Sequence, residues 1–503
     1  MRMINVLEYL DAAAARLPDK AAFCDDTVQL SFGALDARSR AIGTALASSG
    51  YYDEPVVVFM KKGPQAVSAF FGALRAGCFY VPLDEEMPRH RIALIFETLR
   101  PRALICDAAG ARALEDLDFA GRLLRYEELI ETPVDDMALQ NIRGRAIDTD
   151  PIYVVFTSGS TGKPKGVAAC HRSVIDYIES LSEVLKISES TVFGNQAPLY
   201  VDACLKELFP TLKYGAQTWF IPKEYFSFPK RLIEYLNEKQ INTVCWVASA
   251  FTVVAALRIL DEIQPEHLRT IAFGSEVFPV KRLNAWRKAC PGARFLNLYG
   301  PTEATGMSCY YELPVDFNGE TIPIGRAFRN TEVFLLNDGN QRVTKAGEAG
   351  ELCIRGSCLS LGYYADPERT SQGFTQTPLH SRYDEKIYRT GDLAEYNEKG
   401  ELMFLSRRDF QIKRAGYRIE LGEIESAAHS VEGVVSACCL FDETKKKLVL
   451  CYVSDLPRAR LQSLLGQKLP RYMMPNVFHQ LEKMPLTPNG KIDRNGLKAS
   501  LKF

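Results

Sequence analysis

The chain has 503 residues, of which 47% are hydrophobic and 24% charged, the composition of a globular protein too long for one hydrophobic core. Its 61 Lys and Arg balance 62 Asp and Glu, which argues against a nucleic-acid partner or an acidic tail. Thirteen cysteines without a CxxC pair argue against a zinc site. The N-terminus lacks a signal-peptide pattern, and no run reaches the roughly 18 apolar residues of a membrane span, so we expect a cytoplasmic protein with reduced thiols.

The first 400 residues alternate short apolar runs with amphipathic stretches. Apolar runs at 56–60, 79–83 and 103–106 predict buried strands, and helical spacing of apolar residues over 64–77 and 89–99 predicts the helices between them. Repeated strand–helix–strand units of this kind indicate parallel sheets covered by helices.

After about residue 345 the pattern changes to short strands separated by turns. Strand patterns at 433–441 and 447–453 flank the polar segment DETKKK, as in an antiparallel hairpin. The sequence therefore predicts an α/β protein with a large N-terminal domain of helix-covered sheets and a small α+β unit at the C-terminus. Residues 406–418 are charged and poor in apolar residues, so they are the candidate junction, although composition alone favours a surface loop there.

The strongest local signal is residues 152–166, where an apolar strand leads directly into TSGSTGKPKG. Glycines let backbone N–H groups turn toward an anion, hydroxyls donate further hydrogen bonds, and lysines add positive charge. These are the requirements of a triphosphate, although the spacing is not that of the nucleotide P-loop because no GK[ST] follows. The alternative is a flexible Gly/Ser turn, which the density of hydroxyls and lysines opposes.

Three further segments carry side chains that could serve a nucleotide. In NLYGPTEAT, Tyr299 offers an aromatic face to a base, Thr302 a hydroxyl to a phosphate and Glu303 an oxygen ligand to magnesium. Asp392 follows a glycine in YRTGD, where a carboxylate could hold a ribose or cap a turn. Lys491 lies in a Pro/Gly-rich loop, where it could neutralise a developing oxyanion or simply face solvent.

Together these segments resemble the adenylate-forming enzymes, and within them the amino-acid adenylation domains of nonribosomal peptide synthetases. The resemblance covers nearly the whole chain in order. Its motifs are LSFGALDARSRAIGTAL (30–46), AGCFYVPLDEEMP (76–88), the phosphate loop (157–166), APLYVDACLKELFP (197–210), NLYGPTEAT (297–305), GELCIRG (350–356), YRTGDL (388–393), the segment 406–425, LPRYMMP (469–475) and PNGKIDR (488–494). The segment FGSEVFP (273–279) and the lack of appended modules look like the stand-alone D-alanine–carrier protein ligases.

The resemblance implies two domains, 1–408 and a small mobile 409–503, with a hinge at Asp409. It implies ATP and Mg²⁺ as cofactors, with Glu303 on the metal and Lys491, Thr302 and Glu303 as the catalytic residues. Tyr299 would stack on adenine, while Asp392 and Arg407 would hold the ribose. The complete set implied for nucleotide binding is Thr157, Ser158, Gly159, Ser160, Thr161, Gly162, Lys165, Asn297, Tyr299, Asp392 and Arg407.

The resemblance also implies an amino-acid pocket, in which Asp202 binds the substrate ammonium. The implied lining is Asp202, Ala203, Lys206, Trp246, Ile271, Phe273, Leu298, Gly306 and Met307. The two bulky aromatic members predict a short cavity for a small or acidic side chain. Three alternatives remain open for Lys206: it pairs with an acidic substrate, it pairs with Glu207 or Glu276, or it extends to solvent along the pocket wall.

The implied function is ATP-dependent activation of an amino acid as an aminoacyl-adenylate, with release of pyrophosphate. Transfer to the phosphopantetheine thiol of a carrier protein would follow, and because only twelve residues follow Lys491, we expect the carrier in trans. Ser406 stands where the family usually has glycine, which leaves the geometry beside Arg407 open. Two alternatives are an acyl–coenzyme A synthetase, which a buried carboxylate at Asp202 opposes, and a catalytically silent adenylation fold acting as a scaffold.

Overall fold

The computed structural model describes residues 3–115, 117, 119–159, 163–408, 411–486 and 492–501. The α-helices of these residues are α1 Leu7–Arg16, α2 Phe32–Ser48, α3 Pro64–Arg75, α4 Arg89–Leu99, α5 Ala108–Ala113, α6 Tyr126–Leu129, α7 Asp136–Arg143, α8 His171–Leu185, α9 Leu205–Tyr214, α10 Pro229–Glu238, α11 Ala248–Ala256, α12 Val280–Ala289, α13 Pro367–Gly373, α14 Leu421–His429, α15 Arg458–Gly466 and α16 Arg494–Ser500.

The strands are β1 Ala21–Cys24, β2 Gln29–Ser31, β3 Pro55–Phe59, β4 Phe79–Leu83, β5 Ala103–Cys106, β6 Arg122–Arg125, β7 Pro151–Thr157, β8 Lys165–Cys170, β9 Val192–Asn195, β10 Gln217–Phe220, β11 Thr243–Val247, β12 Thr270–Gly274, β13 Arg294–Tyr299, β14 Cys309–Glu312, β15 Arg326–Ala327, β16 Thr331–Leu336, β17 Arg342–Val343, β18 Gly350–Gly356, β19 Gly362–Tyr363, β20 Phe374–Gln376, β21 Lys386–Tyr396, β22 Leu402–Arg407, β23 Gln411–Arg414, β24 Tyr417–Glu420, β25 Val434–Asp442, β26 Lys447–Ser454 and β27 Val477–Gln480.

Local sequence accounts for the first strand–helix repeats. Helix α2 begins after Ser31, whose hydroxyl accepts the N–H of Ala34. Helix α3 begins at Pro64, and proline suits this position because the first N–H of a helix has no partner within the helix. Gly77 follows α3 with φ +70°, a conformation that favours glycine. The predicted strands at 56–60, 79–83 and 103–106 and the predicted helices between them are confirmed as β3, β4, β5, α3 and α4.

Two large sheets carry most of the N-terminal part of the chain. One has nine strands in the order β15-β14-β13-β12-β11-β9-β10-β1-β2, and its central strands run parallel. The other has seven strands in the order β19-β8-β7-β4-β3-β5-β6, in which β3 to β7 pair in parallel. The predicted α/β class with helix-connected parallel sheets is confirmed.

The central strands of the nine-stranded sheet are buried on both faces. Successive side chains of a strand point to opposite faces, so β11 to β13 contribute to two hydrophobic clusters. Trp246 and Phe273 belong to one cluster, whereas Cys245, Leu296 and Leu298 belong to the other. This alternation decides which candidate substrate residues share a face.

A third, antiparallel sheet has the strand order β17-β16-β18-β21-β20, and β22 also pairs with β21. The long strand β21 contains Asp392, and the register places this residue opposite Arg407 of β22. Two side chains predicted to hold a ribose are therefore neighbours across a strand pair.

The residues form two compact units. The first comprises 1–85, 99–155 and 166–408, and the second comprises 86–98, 156–165 and 409–503. The predicted hinge residue Asp409 lies outside the described residues, so the division into domains 1–408 and 409–503 stays a prediction.

The second unit contains the predicted C-terminal hairpin, confirmed as β25 and β26, with β27 parallel to β26. Residues 406–418, where composition favoured a loop, instead include β23 and continue as an antiparallel pair with β24. Ala415 and Gly416 connect these strands with φ 49° and 80°, the two positive values of a tight hairpin turn that matches the strand twist. Charged residues suit a two-stranded ribbon as well as a loop, so composition could not distinguish them.

All thirteen cysteines are buried and free, in agreement with the expected reduced thiols. Among the helices of the described residues, none combines the length and the apolar character needed to cross a membrane.

The buried His171 leads to a testable pH dependence of stability. Its side chain is 4% exposed, Nδ1 accepts the N–H of Val6 at 3.3 Å, and burial lowers its pKa to about 3. In the unfolded chain the imidazole keeps a pKa of about 6.5, so below that pH the unfolded state binds more protons and stability falls as the pH decreases.

We predict that His171 alone removes about 2 kcal/mol of the unfolding free energy between pH 7 and pH 5. Urea unfolding at both values should therefore show a smaller pH effect for His171→Gln than for the wild type. The control His479→Gln changes a half-buried histidine of β27 and should retain the wild-type pH effect. Equal pH effects in the wild type and His171→Gln would contradict the assignment.

Candidate functional site

The phosphate loop begins where β7 ends, in the second unit. The hydroxyl of Thr157 is buried there and makes no hydrogen bond among the described residues. The hydroxyl of Ser158 donates to the carbonyl oxygen of Arg418 at 2.8 Å, and the N–H of Gly159 donates to Oε2 of Glu423 at 3.1 Å. The beginning of the loop therefore presents hydrogen-bond donors to a carbonyl oxygen and a carboxylate of the protein, and its contact with nucleotide phosphates stays a prediction.

Glu423 is a residue of this loop environment that sequence reasoning missed. It forms an ion pair with Arg91, and the two side chains are 5% and 4% exposed. Burial raises the pKa of Glu423, and the charge of Arg91 opposes that increase. The one available signal was its position in LGEIE at the start of a helix, which is equally typical of a surface carboxylate.

Five predicted residues lie outside the described part of the chain: Ser160, Thr161, Gly162, Asp409 and Lys491. Their roles stay predictions. Lys165, the last predicted residue of the loop, is half-buried at the first position of β8.

The first unit brings together the side chains predicted for adenosine. Nη1 of Arg407 and the hydroxyl of Tyr299 both donate to the carboxylate of Asp392. Nη2 of Arg407 also donates to the carbonyl oxygen of Thr390 at 3.1 Å. Burial and the charge of Asp392 raise the pKa of Tyr299, so its phenol remains a hydrogen-bond donor.

The carboxylate of Asp392 is 3% exposed and the guanidinium of Arg407 is 11% exposed. A buried carboxylate is tolerated because a cation and further donors compensate its lost hydration. Each carboxylate oxygen can accept more than one hydrogen bond, so the group can also receive sugar hydroxyls while Arg407 and Tyr299 hold it in place.

Glu303 lies in the 3₁₀ turn Thr302–Ala304 and is fully buried. Its Oε1 accepts the hydroxyl of Tyr363 at 2.8 Å. The described residues contain no group of three or more His, Cys, Asp or Glu that could hold a metal ion. Mg²⁺ is commonly bound by one or two carboxylates with water and substrate phosphates, so a single oriented carboxylate fits this metal.

Two further predicted nucleotide residues differ in their surroundings. Asn297 is buried on β13, and its Nδ2 donates to the carbonyl oxygen of Pro323 at 2.8 Å. Thr302 is half-buried at the start of its turn. The amide of Asn297 thus supports the backbone, and its contact with a nucleotide stays a prediction.

Six of the nine residues predicted for one substrate pocket separate into two groups. Trp246, Ile271 and Phe273 belong to the hydrophobic cluster on one face of the nine-stranded sheet. Leu298 and Met307 belong to the cluster on the other face, against which Ala203 also lies. These six residues therefore do not lie on one face of the sheet, because neighbouring positions of a strand point in opposite directions.

Trp246 is occupied by core interactions. Its indole N–H donates to the carbonyl oxygen of Gly194 at 2.7 Å, and its ring lies 5.1 Å from that of Phe251 and 5.2 Å from that of Phe226. Phe273 similarly contacts Phe278, with ring centroids 4.9 Å apart. The short cavity that the bulk of Trp246 and Phe273 predicted therefore has no support in these contacts.

Gly306 has a backbone reason to be glycine. Its φ is +100°, and a Cβ atom there would lie 2.9 Å from the ring of Tyr177. Asp202 is half-buried at the start of the 3₁₀ turn Asp202–Cys204. Burial, and then the charge of Asp202, raise the pKa of Tyr177 and Tyr153.

Lys206 and Glu207 are consecutive residues of α9, so their side chains leave the helix about 100° apart. Oε2 of Glu207 accepts Nδ2 of Asn195 at 3.2 Å. Nζ of the half-buried Lys62 donates to the carbonyl oxygens of Asn195 and Gln196 at 3.3 and 3.2 Å. Burial raises the pKa of Glu207 to about 7 and lowers that of Lys62 to about 8, and the opposite charges limit both shifts.

Lys206 is only 5% exposed, so most of its side chain lies inside the protein, and the alternative in which the ammonium reaches solvent stays open. No hydrogen bond or ion pair within 4.0 Å joins it to another described residue, and its charge acts on Glu207 from a longer distance. Glu276 accepts the N–H of Ser249 at 3.0 Å. The alternative in which Lys206 pairs with an acidic substrate therefore remains open.

Models of known protein families match most of the chain. Residues 10–364 match the model of the AMP-binding enzyme family, and residues 423–491 match that of the AMP-binding enzyme C-terminal domain.

Curated relatives align over nearly the whole chain. Tyrocidine synthase 1 of Brevibacillus parabrevis is 31% identical over 98% of this chain, and a dimodular nonribosomal peptide synthase of Bacillus subtilis is 30% identical over 99%. The chain spans 45% and 21% of these two proteins. Zwittermicin A synthase ZmaJ of Bacillus cereus is 32% identical, and the chain covers 94% of its length.

Solved structures share the fold. The Vibrio cholerae adenylation domain AlmE, crystallised with glycyl-adenosine-5'-phosphate, has a TM-score of 0.85 at 21% identity. The superposition covers 100% of this chain and 99% of the AlmE chain. IdnL1 has a TM-score of 0.82 at 25% identity, with 96% and 99% coverage. The two family matches cover most of the chain and include Tyr299, whereas Asp392 and Arg407 lie in the segment between them. The chain belongs to the AMP-binding enzyme family.

Proposed function

We propose that the protein activates an amino acid with ATP as an aminoacyl-adenylate and transfers it to the thiol of a phosphopantetheinylated carrier protein in trans. The observation that carries this proposal is the buried Asp392, held by Arg407 and Tyr299 in a chain of the AMP-binding enzyme family. Relatives whose names describe peptide synthases support the amino acid as the acid that is activated.

In the first step, a substrate carboxylate oxygen attacks the α-phosphorus, and the bond between this phosphorus and the pyrophosphate oxygen breaks. Two anions must approach each other, so their charges require compensation. Mg²⁺ held by Glu303 supplies part of this compensation when bound. Thr157, Ser158 and Gly159 donate hydrogen bonds to phosphate, and Lys491 supplies a point charge near the reacting oxygens.

In the second step, the thiol attacks the acyl carbon, and AMP leaves with the electrons of the acyl–oxygen bond. Lys491 is no longer required there, so a hinge at Asp409 that removes it would serve this step. A carrier protein in trans is proposed as the acceptor, and coenzyme A is the acceptor of the alternative function.

For the substrate, we propose a small or acidic amino acid whose ammonium binds Asp202. The support is the buried Lys206, which has no close carboxylate partner among the described residues. A buried ammonium without a partner is costly, and a substrate carboxylate would offset this cost.

Amino-acid-dependent exchange of labelled pyrophosphate into ATP tests this function directly. A panel of L- and D-amino acids should contain small or acidic substrates that support exchange and aromatic ones that do not. Loading of a carrier protein should follow, whereas thioester formation with coenzyme A alone would establish the acyl–coenzyme A synthetase alternative. ATP binding without exchange for any amino acid would instead support a silent scaffold.

Lys491→Ala should reduce pyrophosphate exchange by about 100-fold or more, because the lost charge acts mainly in the transition state. Transfer from a supplied aminoacyl-adenylate to the carrier should remain close to the wild-type rate. The control Lys483→Ala removes an exposed lysine from the preceding segment and should change neither rate. Near-wild-type exchange by Lys491→Ala would refute the role of this lysine.

Lys206→Met should abolish exchange with an acidic amino acid and improve exchange with its uncharged amide analogue, because the variant removes the buried positive charge. The control Lys213→Met changes the other lysine of α9, which pairs with Glu179, and should preserve the substrate order. An unchanged preference in Lys206→Met, or efficient activation of phenylalanine by the wild type, would rule out this substrate assignment.

A further inference from the structure

A carboxylate of the protein itself already occupies a donor of the phosphate loop. Within the second unit, Oε2 of Glu423 accepts the N–H of Gly159 at 3.1 Å. The neighbouring hydroxyl of Ser158 is also engaged, because it donates to the carbonyl oxygen of Arg418 at 2.8 Å. These are two of the donors that the proposed function assigns to ATP phosphates.

The arrangement around Glu423 keeps an anion at this position. Arg91 of α4 donates from Nη1 to Oε1 of Glu423, while Oε2 faces Gly159. Both charged side chains are almost completely buried, so neither is compensated by bulk water. One carboxylate oxygen of Glu423 therefore accepts a hydrogen bond from the Arg91 guanidinium, and the other accepts one from the phosphate loop.

A phosphate oxygen and Oε2 of Glu423 cannot both accept a hydrogen bond from the N–H of Gly159. The geometry of a single N–H favours one acceptor, and two anions within a few ångströms repel each other strongly at a poorly hydrated site. Occupation of the loop by nucleotide and occupation by Glu423 are therefore competing states.

We propose that Glu423, oriented by Arg91, is a positioning residue that takes the place of a nucleotide phosphate oxygen on Gly159, so that ATP must displace it to bind. The inference rests on the proposed binding of ATP phosphates by residues 157–165. It assigns Glu423 an action on nucleotide and pyrophosphate affinity, and none on the amino acid.

Helix α14 offers a matched control in Glu425. This carboxylate accepts Nη2 of Arg494 at 2.6 and 2.7 Å and the N–H of Cys439 at 2.7 Å. It is thus an ion-paired carboxylate of the same helix whose described hydrogen bonds do not involve the phosphate loop.

The test measures the affinity of the full chain for ATP and for pyrophosphate by calorimetry, without amino acid so that no reaction occurs. Glu423→Gln should bind both about tenfold more tightly, since removal of a like charge relieves the competition. KM for ATP should fall while KM for the amino acid stays constant, a split that general destabilisation would not produce. Glu425→Gln should retain the wild-type affinities.

The double variant Arg91→Met/Glu423→Gln removes both buried charges and separates two causes of tighter binding. Retained tightening in the double variant supports displacement of Glu423. Tightening confined to the single variant would instead mean that the released Arg91 binds phosphate, and would overturn the proposal. Unchanged affinities in both variants, or equal tightening in Glu425→Gln, would also overturn it.

If Glu423→Gln fails to fold, the double variant provides the measurement, because it removes both charges of the Arg91–Glu423 ion pair. Failure of the proposed function has a different signature: the wild type and every variant would then bind neither ATP nor pyrophosphate.

Discussion

The negative charge of a buried carboxylate must be stabilised by neighbouring groups, and this requirement applies to three carboxylates of the candidate site. Burial removes the hydration of the charge, and only cations and hydrogen-bond donors nearby can replace it. Asp392 accepts hydrogen bonds from Arg407 and Tyr299. Glu423 pairs with Arg91 and accepts the N–H of Gly159. Glu303 accepts the hydroxyl of Tyr363. Each carboxylate is thereby oriented before any ligand arrives, which lowers the entropic cost of binding.

The same constraint makes the phosphate loop sensitive to charge. Glycine and hydroxyl donors suit any anion, whether it belongs to a nucleotide or to the protein. In this structure the anion is Glu423, whose segment is distant in sequence from the loop. Under the proposed competition, the affinity for nucleotide is the difference in free energy between the complex of the loop with phosphate and its complex with Glu423, so the loop residues alone do not set it.

The substrate side of the site depends on how sheet faces divide side chains. Trp246 and Phe273 match pocket positions of the resembled family, yet both are held in a core cluster by aromatic contacts. Lys206, in contrast, is buried and has no carboxylate within ion-pair distance among the described residues. It is therefore the best candidate for a residue that selects the substrate side chain. The size of a side chain at a motif position is therefore weaker evidence about a pocket than the burial and the contacts of that side chain in the structure.

The sequence by itself determined the α/β class, the early strands and helices, the C-terminal hairpin and the segments that carry Asp392 and Glu303, because these follow from local periodicity and short motifs. Tertiary structure decided that residues 411–420 form a hairpin, that the pocket candidates occupy two faces, and that Glu423 contacts Gly159. These features depend on contacts between residues far apart in the chain. A charged residue has the same local pattern whether it meets solvent, a buried partner or a ligand, so only its folded environment distinguishes them.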